Sequence, residues 1–67
     1  MKVIDYYTKD VIKEDMTFEE CEKFILDQIP EIGGRRFFRV IEDPKGPAYD
    51  VGRYILQIVD DQVKELS

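Results

Sequence analysis

Few side chains in this chain are equipped for catalysis. There is no histidine, so proton transfer near neutral pH lacks its usual carrier. Hydroxyl nucleophiles are limited to Thr8, Thr17 and Ser67. The single thiol, Cys21, stands between Glu20 and Glu22, whose charge opposes thiolate formation. One thiol without histidine makes neither an internal disulfide nor a structural zinc site. No glycine-rich phosphate loop or calcium-loop spacing occurs, so no metal or cofactor is expected. The carboxylate pairs Glu14-Asp15 and Asp60-Asp61 are adjacent, and adjacent side chains on regular structure point apart. The chain is expected not to be an enzyme.

Recognition chemistry is better supplied. In GGRRFFR, residues 33–39, three of the chain's four arginines surround Phe37 and Phe38. Aromatic rings among cations suit two kinds of partner. Single-stranded nucleic acid stacks on such surfaces, and arginine with aromatics is also the composition of protein-binding hot spots. The strand pattern of the RNA-recognition fold requires a glycine between the basic residue and the aromatic, and Phe37 follows Arg36 directly. The net charge of −5 also repels a phosphate backbone. The plain structural alternative puts one phenylalanine on each face of a strand, with the arginines answering acidic residues of the same chain.

Those acids are concentrated upstream. Residues 10–31 carry eight carboxylates against Lys13 and Lys23, whereas residues 33–53 are net basic. An acidic run of this kind is the solvated face of an amphipathic helix, or a surface that imitates phosphate for a basic partner. The candidate partner-binding residues are therefore Arg35, Arg36 and Arg39 on the basic side, and Glu19, Glu20 and Asp27 on the acidic side.

The elements that position these groups follow from local pattern. Residues 2–7 read as a strand, with Val11-Ile12 pairing back on it. Thr17-Phe18-Glu19-Glu20 is a capping box that opens a helix from Phe18 to about Ile29. Phe18, Cys21, Phe24, Ile25 and Ile29 share its apolar arc, and Cys21 is expected to be a buried structural thiol. Pro30 stops the helix and Gly33-Gly34 redirects the chain. Residues 35–42 read as one strand inside the sheet, because both of its faces carry apolar residues. Residues 43–47, DPKGP, form a turn. From Val51 to Leu66 the apolar residues hold a helical period, which predicts a C-terminal amphipathic helix capped by Asp50. The alternative is a hairpin of YILQIV and QVKEL turning at Asp60-Asp61, favoured by the β-branched residues.

The expected fold is thus a single small α+β domain over residues 1–67. Two or three strands carry one capped helix and the C-terminal helix. A core this small is marginal alone, and the apolar face of the last helix is the expected homodimer contact. With no apolar run near membrane-spanning length and no secretory leader, a cytoplasmic location is expected. The leading expectation for function is a non-enzymatic protein–protein interaction or accessory protein, of a size and style that phages and mobile elements encode. The alternative is an acidic inhibitor that mimics nucleic acid toward a basic DNA- or RNA-binding protein. The third is a weak single-stranded nucleic-acid binder using the arginine–phenylalanine strand.

Overall fold

The computed structural model describes residues 1–61. Its elements run β1 (Lys2–Asp5), β2 (Val11–Lys13), α1 (Phe18–Leu26), β3 (Glu31–Ile32), β4 (Arg35–Arg36), β5 (Arg39–Ile41), β6 (Ala48–Asp50) and β7 (Ile55–Val59). Five strands form an antiparallel sheet in the order β2-β1-β7-β6-β5, and β3 with β4 makes a separate hairpin. Among the described residues the protein is mostly β, with one short helix.

This corrects the expected architecture of two or three strands with a C-terminal helix. Residues 55–59 are not helical; they form β7, which lies between β1 and β6 at the centre of the sheet. The apolar spacing there reflects a strand buried on both faces. Leu56, Gln57, Ile58 and Val59 are all buried, and a short run of this kind has no periodicity that separates it from a buried helix. Two further features oppose a helix. Gly52 sits at φ +102°, outside helical space, and Ile55, Ile58 and Val59 are β-branched. Asp50 does not cap a helix; its carboxylate accepts the Gly52 amide at 2.9 Å and holds the turn between β6 and β7. The strand half of the hairpin alternative matches β7, whereas QVKEL lies outside the described residues. The homodimer contact expected on a C-terminal helix loses its basis over residues 51–59.

The helix begins as its capping box requires. Thr17 Oγ1 accepts the Glu20 amide at 3.1 Å, and Glu20 Oε1 accepts the Thr17 amide at 2.9 Å. It ends at Leu26 rather than Ile29, closing through a tight turn in which Gln28 and Ile29 donate to the carbonyls of Ile25 and Leu26. Cys21 and Ile25 press onto one face of the sheet, against Val3 on β1, Leu56 and Ile58 on β7 and Tyr49 on β6. The registers Val3↔Ile58 and Tyr49↔Leu56 put these four sheet residues on a common face. Phe18, expected on the buried arc, is 39% exposed.

On the opposite face Ile4, Gln57 and Ala48 align across β1, β7 and β6, all buried. The turn at residues 43–46 is tied to this face. Gln57 Nε2 donates to the Gly46 carbonyl at 3.0 Å, and the Ile58 amide donates to the Pro47 carbonyl at 3.0 Å. Gly46 is required there: at φ +151°, a Cβ would lie 1.9 Å from the Ile58 carbonyl oxygen.

The expected interior strand at residues 35–42 is also corrected. Gly33 and Gly34, at φ +61° and +79°, make a two-residue turn of the kind that requires positive φ at both positions. That turn folds Arg35–Arg36 back on Glu31–Ile32 as β4. The chain re-enters the main sheet only at Arg39, as the edge strand β5. Every residue from 30 to 40 is exposed.

Candidate functional site

The arm at residues 30–40 and the adjoining surface are where the molecule leaves apolar and cationic groups uncovered. Ile32 is 65% exposed and Phe37 66%, while Phe38 and Val40 are each more than two-fifths exposed. Phe38 is the one anchored ring, packed 5.8 Å from the ring of Tyr49. Phe37 therefore does not pack on a sheet face as a core residue would, and the plain structural reading of the two phenylalanines fails for it.

Between the arm and the β6–β7 turn runs an open groove of two compartments. The first, about 350 Å³, lies among Ile29, Ile32, Phe37, Phe38, Arg39 and Val51. The second, about 520 Å³, extends past Asp27, Gln28, Arg53 and Tyr54. Ile29, Pro30, Val51 and Gly52 line both, so the two adjoin. The far wall is held by a hydrogen bond from the Tyr54 hydroxyl to Gln28 Oε1 and by the Val51 amide donating to the Tyr54 carbonyl at 3.1 Å.

The arginines divide by partner. Arg36 donates from Nε to the Ile29 carbonyl at 3.3 Å and lies 3.8 Å from the Glu31 carboxylate, so it braces the root of the arm. Arg39 lies 3.8 Å from Asp50 across the β5–β6 pair, with its side chain 83% exposed. Both ion pairs are surface pairs and contribute little to stability. The side chains of Arg35 and Arg53 make no hydrogen bond or ion pair among the described residues. Among the described residues Arg35 is an unpaired cation at the tip of the arm, next to Gly34. None of the arginines pairs with the acidic helix.

The acidic candidates do not form one site. Glu20 is committed to the capping box. Glu19 lies exposed in the same first turn, and Asp27 is the C-cap, so the helix separates the two by about 12 Å. Asp27 joins the groove near Arg53, away from the other two. Glu22, which sequence reasoning passed over, accepts the Tyr49 hydroxyl at 3.3 Å. Burial, and then the nearby Glu22 charge, raise the Tyr49 pKa.

Cys21 is fully buried, and burial raises the pKa of its thiol. Among the described residues no three histidine, cysteine or carboxylate side chains converge as a metal site. No helix among them is long and apolar enough to cross a membrane.

Of the groove's other walls, Ile32, Gly52 and Arg53 were not singled out in the sequence, and Val51 and Tyr54 were read only as part of the apolar face of the expected C-terminal helix. For Ile32 the signal was the Gly33-Gly34 pair between two short polar-apolar stretches, which marks a hairpin and hence a projecting arm; residues 51–54 of the β6–β7 turn carried no such signal. Compared with protein-family models, curated proteins and solved structures, the chain matches none of them.

Proposed function

We propose that this chain is a non-enzymatic cytosolic interaction protein whose arm and adjoining groove bind another protein. One observation carries this reading: eleven consecutive exposed residues hold Ile32 and Phe37 out in solvent beside Arg35, whose side chain has no partner among the described residues. A two-stranded hairpin with no buried side chain has little to stabilise it alone, and apolar residues held out from a sheet are characteristic of contact surfaces. Arginine and phenylalanine are among the residues enriched at the centres of protein interfaces.

The same surface is a poor track for a nucleic acid. Arg36 and Arg39 already face Glu31 and Asp50, which leaves Arg35 and Arg53 to neutralise phosphates. Affinity for a phosphate backbone grows with the number of cations engaged, and two supply little against a net charge of −5. The imitation of nucleic acid by the helix is weakened in turn, because Glu20 serves the cap and Glu19 and Asp27 stand at opposite ends.

The test is affinity capture from the native host with the wild-type chain and with a Phe37→Ser, Arg35→Ser variant as bait. A partner retained by the first and lost by the second is expected. A partner retained equally by both removes the arm as the binding surface.

A further inference from the structure

Resting on that reading, we infer that the occupant is an extended acidic segment of the partner protein, added as a further strand along the open edge of β5. The two ends of the sheet are not equivalent. At one end, β2 meets β1 with a shift in register between Val3 and Ile4, an irregularity that twists an edge away from further pairing. At the other, β5 pairs with β6 through three successive partners without a shift, Arg39↔Asp50, Val40↔Tyr49 and Ile41↔Ala48. Among the described residues nothing pairs with the outer side of β5.

The alternation of β5 specifies what such a strand must carry. Val40 is opposite Tyr49 and shares its face, the face that packs against the helix. Phe38, two residues before Val40 and in ring contact with Tyr49, extends an apolar strip along the same edge. Arg39 points to the other face, paired only with Asp50 at 3.8 Å and mostly in solvent. A strand laid beside β5 thus meets apolar surface on one face and a cation on the other. Its best side chains alternate, apolar opposite Val40 and acidic opposite Arg39. Arg53 lines the second compartment of the groove and Arg35 stands on the arm in β4, and both carry the same sign of charge. With Asp50 counted beside Arg39, residues 30–40 still set three arginines against two carboxylates, a small positive excess, so the local field at this edge favours an anion although the chain as a whole is acidic.

The experiment uses the whole chain and a fluorescein-labelled heptapeptide alternating glutamate with valine, read by anisotropy. Three variants of the peptide accompany it: one with lysine for glutamate, one N-methylated at the valine amides and one N-methylated at the glutamate amides. The lysine peptide is expected to bind at least about tenfold more weakly, and one N-methylation pattern, the one that faces β5, to abolish binding while the other does not. Arg39→Glu in the protein should weaken the glutamate peptide by about tenfold or more, while its far-UV circular dichroism stays unchanged. Equal binding of the glutamate and lysine peptides, or indifference to both methylation patterns, overturns strand addition. If host-partner capture still depends on Phe37 and Arg35 in that case, the binding surface stands and only its mode falls. If capture has lost that dependence, both fall. A homodimer that forms through β5 and excludes the peptide assigns the edge to a second copy and overturns the proposal. Tighter binding of a labelled oligothymidylate than of the peptide, falling steeply with salt, overturns it in favour of nucleic acid.

Discussion

Replacing Phe37 by serine and, separately, Leu56 by alanine distinguishes a docking residue from a core residue. Leu56 is completely buried under the helix, whereas Phe37 is 66% exposed. Full burial of a phenylalanine is worth about 1.5–3 kcal/mol. With about a third of the side chain covered, Phe37→Ser forfeits roughly 0.5–1 kcal/mol. Leu56→Ala forfeits about 2–5 kcal/mol, because the sheet cannot close over the space left. A domain of this size holds roughly 3–10 kcal/mol in all, so the second change removes a large part of its stability and the first does not. At about 4–8 °C per kcal/mol, Phe37→Ser should lower Tm by less than about 8 °C, and Leu56→Ala by at least about 8 °C and as much as several tens of degrees. Thermal melts followed by far-UV circular dichroism read both, and partner capture is measured on the same preparations. Phe37→Ser is expected to stay folded and lose the partner. A Phe37→Ser protein that melts as low as Leu56→Ala would show that Phe37 is structural, and the reasoning from its exposure would be refuted.

Gly46→Ala drives a Cβ to within 1.9 Å of the Ile58 carbonyl oxygen, so it should unfold most of the chain in the same melts. Gly52→Ala meets nothing within 4 Å and should cost only the strain of its φ of +102°, about 1–3 kcal/mol. Cys21, fully buried with its thiol pKa raised, should react with a thiol reagent only as fast as the protein unfolds; prompt labelling of the native chain would contradict its placement. Asp43 is held below the usual carboxylate range, first by the Lys45 amide donating at 2.9 Å and then by the Tyr6 hydroxyl and Gln57. A carboxyl depressed in the folded state contributes stability that is present above its unfolded value of about 3.9 and is lost as pH falls through the folded value. Asp43→Asn, which keeps one acceptor oxygen for the Lys45 amide but removes the charge and puts an NH2 donor in place of the other oxygen, should therefore lower Tm by a constant amount above about pH 5 and by progressively less toward pH 3. Asp5 is depressed in the same way by the Thr8 and Tyr7 amides and should keep some acid sensitivity in that variant.

The parts of this fold legible in the sequence are those fixed by local chemistry. The capping box at Thr17 and Glu20, the β1–β2 pairing and the turn at residues 43–46 each depend on residues within a few positions of one another. The identity of β7 depends on what lies on both sides of it. Ile55, Leu56, Ile58 and Val59 suit a helix face or a doubly covered strand equally well, and only pairing with β1 and β6 decides. Strand β6 was missed because Ala48, Tyr49 and Asp50 form too short a run to carry a pattern. At the candidate site, Arg35, Arg36 and Arg39 stood out by type and clustering, but their division into a brace, an edge cation and a free tip follows from contacts with Glu31, Ile29 and Asp50. Gly33-Gly34 reads in the sequence as a break after the helix. Its consequence, an arm that carries Phe37 away from the sheet, depends on the backbone closing a two-residue turn there.

Amide hydrogen exchange, followed across the chain with and without a partner captured from the native host, tests the central claim most directly. New protection is expected at residues 31–41 and at 51–54 along the groove, with exchange over the exposed face of α1 unchanged. Protection confined to α1 around Glu19 and Asp27, with the arm exchanging as freely as before, would contradict it and return the function to the acidic helix.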